Sequence, residues 1–305
     1  MSEPHVDVDA RAAVFEAERP KLLGLAYRLL GSLGDAEDVV QDAWLRWSRV
    51  DDATMRSIER PGAWLTTTVS RLGLDRLRAR RRERVEYVGP WLPEPWVRPM
   101  PADDPERTAE VADSLTTAFL VLLERLSPEE RLVLLLVDVF GEPFATAADL
   151  VGRTHDATRQ LAVRARRKLT GAGEVQRTPP REQLAIASAF VGAVMSGDVQ
   201  AVMSMLGADA VLMSDGGARR HAARRPVVGP DRIARFLVNV VRRLPEGASM
   251  QPVWVNGSPG VLVTSMNGEP LMVHVVDVEG DVVARQWSIL NPDKLAALGH
   301  VIDLV

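Results

Sequence analysis

Arginine is concentrated in two short stretches of this 305-residue chain. The first holds Arg71, Arg76, Arg78, Arg80, Arg81, Arg82 and Arg84, and the second holds Arg159, Arg164, Arg166, Arg167 and Lys168. A guanidinium keeps its charge at any ordinary pH and presents a planar fork of donors that matches phosphate oxygens. Such runs neutralise a nucleic-acid backbone, which governs non-specific affinity and its salt dependence. A solvated helix end is the other account of the first run, and it is the weaker one because only Asp75, Glu83 and Glu86 offset the arginines. The net charge is −4, so the signal lies in local stripes and not in the whole chain.

Three other sets of residues could do chemistry. Asp35, Glu37, Asp38, Gln41 and Asp42 sit together at the start of a helical stretch. The helix dipole favours acid in a first turn, which accounts for Asp35 and Glu37 but not for Gln41 and Asp42. His274, Asp277 and Asp215 are candidates for acid–base work, but no acid paired with a base is identifiable. A lone histidine among apolar strand residues is most simply structural. The chain has no cysteine, which removes disulfides, thiolate zinc sites and a cysteine nucleophile. No metal and no cofactor is expected, and no catalytic residue is assigned.

The elements that must position these groups fall into four blocks. Residues 11–86 read as helices, with Leu22, Leu25, Ala26 and Leu29 at helical spacing and Pro61 where a helix can start. Residues 87–107 are a linker whose prolines favour an extended chain, and its Trp91 and Trp96 are expected to dock onto something. Residues 108–172 are helical again. Ser127, Pro128 and Glu130 spell a capping box, Gly141 and Pro143 break the chain, and a short helix at 145–151 precedes one from Thr154 to about Leu169. Two helices around a tight glycine-containing turn, the second rich in arginine, form a helix-turn-helix pattern. Early residues of the second helix, His155, Asp156, Thr158 and Arg159, would face base edges, and the later basic residues would hold phosphates. Residues 180–300 are α+β: helical at 181–196 and 230–243, with five strand-like runs separated by Asn256-Gly257, Asn267-Gly268 and Glu279-Gly280. The N-terminus, residues 1–10, has no apolar core and is not a signal peptide, and no apolar run is clean enough to span a bilayer. The chain is expected to be cytoplasmic, with no membrane partner.

The helical blocks together resemble the extracytoplasmic-function sigma factors. Gly34 through Trp44, Pro61-Gly62-Ala63-Trp64-Leu65 and Arg71 through Arg78 resemble sigma region two. Leu126 through Arg131 and Val163 through Leu169 resemble region four. The linker's Trp91-Leu92-Pro93-Glu94-Pro95, then Asp215-Gly216-Gly217, then Asn291-Pro292-Asp293-Lys294-Leu295 narrow this to the SigJ-type subgroup, which carries a SnoaL-like domain after region four. One motif departs from the pattern. The subgroup continues Asp-Gly-Gly with Gly-Lys, whereas Ala218 and Arg219 follow here; arginine keeps the charge, but alanine does not relax to positive φ as glycine does.

The resemblance implies two all-α modules, the second a helix-turn-helix, followed by a cone-shaped α+β domain. It implies core RNA polymerase as partner, through the β′ clamp helices and the β flap, with Asp35, Glu37, Asp38, Gln41 and Asp42 on the clamp helices. Promoter DNA is the second partner. Trp64, Arg71, Arg76, Arg78, Arg80 and Arg81 would serve the −10 element, with Trp64 either core or base-stacking. His155, Asp156, Thr158, Arg159, Arg164, Arg166, Arg167 and Lys168 would serve the −35 element. The three motif segments would be regulatory, the tethered domain acting at high local concentration in place of a separate anti-sigma protein. A small-molecule effector in the pocket of that domain is a further partner; Trp254, Met266, Met272 and Trp287 either line such a pocket or pack the core. Two other readings stay open: a SnoaL-like enzyme fused to a DNA-binding module, and a ligand-responsive repressor.

Overall fold

A computed structural model describes residues 8–83, 87–100, 116–169, 178–296 and 298. Arg84, Glu86, the linker from 101 onward, the start of the second helical block and the boundary at 171–177 lie outside the described residues, as do the side chains of Arg81 and Arg82. By its internal contacts the chain divides into two compact units. One holds residues 1–85 and 123–171, and the other holds 86–122 and 172–305.

The described residues of the first unit form helices and no strand. Helix α1 (Val8–Leu30) buries Leu22, Leu25, Ala26 and Leu29, the apolar stripe of the sequence, against α2 (Leu33–Ser48) and α4 (Pro61–Glu83). Ser32 caps α2 by accepting from the Asp35 amide. Trp47 is buried and its indole N–H donates to the Arg11 carbonyl at 3.1 Å, which satisfies the one polar atom of a large apolar ring. Asp51 caps the short α3 (Asp52–Ser57), and Pro61 opens α4 as expected. The chain returns to this unit at the end of α5 (Thr117–Leu123). The expected capping box starts α6 (Pro128–Leu134): Ser127 accepts from the Glu130 amide and Glu130 accepts from the Ser127 amide. A π turn over Leu135–Val139 follows, then Gly141 in the left-handed region (φ 67°). Helix α7 (Phe144–Val151) ends on left-handed Gly152, and α8 is His155–Leu169. Fully buried Arg131 ties α6 to α1, donating to the Arg28 carbonyl at 2.9 and 3.1 Å and to Glu124 at 2.7 Å. The two helical sets therefore share one packed unit.

The second unit is built on a seven-stranded sheet, in the order β1-β4-β5-β6-β7-β2-β3. The strands are β1 (Val97–Pro99), β2 (Leu206–Asp215), β3 (Val227–Val228), β4 (Ser249–Val255), β5 (Ser258–Thr264), β6 (Pro270–Glu279) and β7 (Val282–Ile289). Among the described strands, β2 and β7 run parallel and the other pairings are antiparallel. Helices α9 (Pro180–Ser196), α10 (Val199–Ser204) and α11 (Pro230–Val241) bury Phe190, Val202, Ile233 and Leu237 against Leu212 and Val276 on one sheet face. The other face packs Val273, Val275, Trp287 and Ile289 against Leu92, Val97 and the C-terminal α12 (Pro292–Leu295). Strict alternation along β6 separates His274 and Val276 from Val273 and Val275, as the period of a strand requires.

The expected two helical modules and α+β domain are present. Two strands, β1 and β3, and three short helices, α3, α10 and α12, differ from the expectation. β1 lies within the proline-rich segment, where Pro99 is tolerated because the strand is at the sheet edge. β3 and α10 are too short to show a period. The segment read as a linker thus begins as part of the second unit.

Candidate nucleic-acid interface and a buried polar node

Helix α8 places its basic residues in two different settings. His155, Asp156, Arg159, Gln160, Val163, Arg164 and Arg167 are exposed, and their spacing puts them along one side of the helix. Val163 is 59% exposed, an unusual position for an apolar side chain on an otherwise polar face. Gln160 and Val163 were not singled out from the sequence, since neither is charged. Thr158 is corrected: it is fully buried and its hydroxyl donates to the Thr154 carbonyl at 3.0 Å, so it cannot meet a base. Arg166 and Lys168 are also partly redirected. Arg166 donates twice to Asp138 at 2.8 and 2.5 Å, which raises its pKa further. Lys168 donates to both Glu130 oxygens at 2.9 and 2.6 Å. Burial alone would raise the Glu130 carboxyl, but hydrogen bonds from Lys168 and Ser127 outweigh it and hold it low. These contacts brace α8 against α6 and the π turn.

On the other helical set, α2 presents Glu37, Asp38, Gln41 and Asp42 to solvent, with Leu45 exposed one turn on. Asp35 is corrected. It is 7% exposed and accepts from Arg76 at 2.7 and 3.2 Å, with Arg80 paired to its other oxygen. It is thus a bolt between α2 and α4 and not part of the exposed acidic face. The same contact holds Arg76 and Arg80 at the side of α4. Arg71 is exposed, and Arg78 donates to Glu129 at 2.7 and 3.0 Å. Burial would raise the Glu129 carboxyl, but the Arg78 hydrogen bonds hold it below its ordinary value. Trp64 is half-buried, its ring 5.3 Å from that of Trp47, so one part packs and the rest reaches the surface.

In the second unit, three motifs distant in sequence meet at one carboxylate. Asp215 is fully buried. It accepts from the Tyr87 hydroxyl at 2.5 Å, the Leu92 amide at 2.9 Å, the Gly217 amide at 3.0 Å and the Lys294 ammonium at 2.6 Å. Lys294 is buried too; it also donates to the Leu92 carbonyl and lies 4.0 Å from the centre of the Trp91 ring. Asn291 donates to the Tyr87 hydroxyl at 2.9 Å and caps α12. Burial and the bond to Asp215 push the Tyr87 hydroxyl above its ordinary pKa. Tyr87 was missed because it stands just before the motif, with nothing to mark it. Gly217 has positive φ, and a side chain there would meet Asn291. Ala218 is not among the positive-φ residues, so the departure from the subgroup pattern carries no backbone strain. Arg219 pairs instead with exposed Asp293 at 2.9 Å. Pro93, Pro95, Gly216 and Leu295 are buried around this node, while Glu94 and Pro292 are half-buried.

A cavity of about 710 Å³ lies on the helical side of the sheet. Phe190, Phe236, Met250, Val263 and Met272 contribute to its apolar wall, and His274 and Ser288 are polar groups within it. Of the four side chains weighed as lining, only Met272 serves. Trp287 is in the core on the opposite face, Trp254 is buried elsewhere, and Met266 is exposed in a turn. The acid–base candidates are not brought together: His274 bonds Ser288 at 2.9 Å, Asp277 pairs with Arg285 at 3.1 Å, and Asp215 sits in the node. Burial pushes His274 down to about 4 and raises Asp277 against the opposing pull of Arg285. Among the described residues, no cluster of acidic or histidine side chains fits a metal ion, and no helix is long and apolar enough to cross a membrane.

Residues 14–83 match the family described as Sigma-70 region 2, and residues 116–169 match Sigma-70, region 4. The chain is similar to the ECF RNA polymerase sigma factor SigJ of Mycobacterium tuberculosis (strain ATCC 25618 / H37Rv), with 38% identity over 92% of this chain and 91% of that one. It is similar to the probable ECF RNA polymerase sigma factor SigI of Mycobacterium tuberculosis (strain CDC 1551 / Oshkosh), with 30% identity over 95% and 96% of the two chains. The crystal structure of the Mycobacterium tuberculosis extracytoplasmic function sigma factor SigJ matches with a TM-score of 0.73 and 35% identity, over 93% of this chain and 98% of that one.

Proposed function

The chain belongs to the extracytoplasmic-function RNA polymerase sigma factors, and on that premise we propose how its surfaces divide the work of transcription initiation. Glu37, Asp38, Gln41 and Asp42 on α2 dock on the β′ clamp helices of core polymerase, with Asp35 positioning α2 from beneath. The α4 stripe, led by Arg71 and the exposed part of Trp64, serves the −10 element. The exposed side of α8 reads the −35 element: His155, Asp156, Arg159, Gln160 and Val163 toward base edges, Arg164 and Arg167 toward phosphates. The α6–α8 module engages the β flap.

The observation that carries this reading is the sorting of charge by exposure. On α2 the acidic and amide groups left in solvent form one patch, and on α8 the exposed basic side does the same. The α+β domain is assigned a non-catalytic, regulatory role. Among the described residues, the buried His274 has a hydroxyl partner and no carboxylate partner, which supports a site that binds and does not transfer protons.

The test is in vitro transcription with purified core polymerase on a matched promoter. The full chain, or the chain with its α+β domain altered, should yield a promoter-specific transcript, and Asp42→Lys with Glu37→Lys should abolish it while leaving the helical signal intact. Tight duplex binding without polymerase and no transcript under any condition would instead identify a repressor.

A further inference from the structure

We infer that the cavity in the α+β domain binds an uncharged, largely apolar small molecule that sets one carbonyl or hydroxyl oxygen against His274. Its volume, about 710 Å³, lies within the range of sites that enclose small organic ligands. The walls come from both layers: Phe190 and Val194 of α9, Phe236 and Val240 of α11, and Val263 and Met272 of the sheet. Three polar side chains cross the floor in one row, since His274 pairs in register with Ser288 and Ser288 with Ser214.

Two of these side chains leave capacity for a ligand. His274 bonds Ser288 through Nδ1, and its Nε2 has no hydrogen-bond partner among the described residues. The Ser214 hydroxyl is buried and likewise has no partner among them. Buried polar atoms normally have partners, and leaving one unmade costs free energy. The same burial that keeps the imidazole neutral disfavours a carboxylate beside it, because no cation lies on the floor to offset one. The guanidinium groups among the lining residues, those of Arg219, Arg220 and Arg243, are exposed, so an acidic head would be held at the mouth and not beside His274. A neutral oxygen satisfies Nε2 in either tautomer, as acceptor or as donor.

The inference supplies an effector for the regulatory domain proposed above, but the binding itself stands or falls separately. The experiment titrates the full-length chain with three fluorescent probes: Nile red, which is uncharged and carries one ring carbonyl; diphenylhexatriene, a hydrocarbon; and anilinonaphthalenesulfonate, an anion. Nile red and diphenylhexatriene should both bind saturably. His274→Phe keeps a planar aromatic ring and removes the ring nitrogens, so it should weaken Nile red by about fivefold to tenfold and diphenylhexatriene by less than about twofold. Met272→Trp should fill the cavity and remove both probes, and Val240→Trp should do so from the opposite wall, which keeps the test valid if one variant misfolds. Absence of saturable binding by either neutral probe, equal loss of both in His274→Phe, or preference for the anion with dependence on Arg220 would each overturn the inference. If deleting the α+β domain changes promoter output while no probe binds, the regulatory reading survives and this inference does not.

Discussion

Asp35 shows how a residue's partners decide its role. Its position in an acidic first turn suits a surface contact, yet Arg76 and Arg80, on the next long helix, hold it in the interior. Asp35→Ala should therefore cost about 1–3 kcal/mol of stability, because two guanidinium groups lose a shared carboxylate that is mostly removed from water. Asp42→Ala, on the exposed side, should change stability by less than about 0.5 kcal/mol. Urea denaturation of both variants separates the two roles, and equal losses would contradict them. Lys294 carries a larger stake, since Asp215 is fully buried beside it. Lys294→Met should destabilise the second unit by about 3–5 kcal/mol by leaving that carboxylate without its cation, and adding Asp215→Leu should recover part of the loss. A melting temperature unchanged by Lys294→Met would rule out a charged node.

His274 gives a signed pH dependence. Burial lowers its folded pKa to about 4 from the ordinary 6.5, so the unfolded chain binds the extra proton first. Stability from this group is complete above about pH 6.5 and falls as pH drops toward 4, by up to about 3 kcal/mol. His274→Phe should flatten the curve in that window. Carboxylates such as Glu130 act at lower pH and should still destabilise the variant there. A wild-type curve that stays flat between pH 6.5 and 4 would mean the imidazole is not buried in its neutral form.

At the scale of elements, legibility followed locality. The capping box at Ser127, the start at Pro61 and the α7–α8 turn at Gly152 each rest on residues within a few positions, and each is found where expected. β1 is only three residues long and gains its identity from β4, far along the chain, so no period could reveal it. The candidate site divides the same way. The basic side of α8 was visible as composition, whereas the removal of Arg166 and Lys168 from it depends on Asp138 and Glu130, which only the fold brings near. Arg167→Ala should lower the slope of log affinity against log salt by about 0.9 in promoter binding by the holoenzyme, and Arg166→Ala should change it much less. Identical slopes would mean that Arg166 leaves Asp138 for a phosphate. Val163→Ser should cost about 1 kcal/mol only on sites with a thymine methyl beneath it.

At the scale of the whole molecule, the connection between the two helical sets belongs to the sheet unit. Leu92 and Val97 are buried in the same apolar cluster as Val253, Trp287 and Leu295. A chain ended at residue 171 keeps those side chains and loses the sheet and C-terminal residues that cover them in that cluster. It should aggregate or bind a hydrophobic dye more than the full chain, and Leu92→Ser with Val97→Ser should reverse this. Equal dye binding by the truncated and full chains would show that the segment finds other cover.

The Trp96–Asn256 bond that seats β1 beside β4 spans 160 residues. A ribosome adds roughly 5–20 residues each second, so the connecting segment emerges roughly 10–30 s before the strand that receives it. In the second half of that interval the nascent chain already contains both helical sets, and its third part is still being made. Every new molecule thus passes through a brief period without the domain proposed to regulate it, and the length of that period is set by the rate of translation.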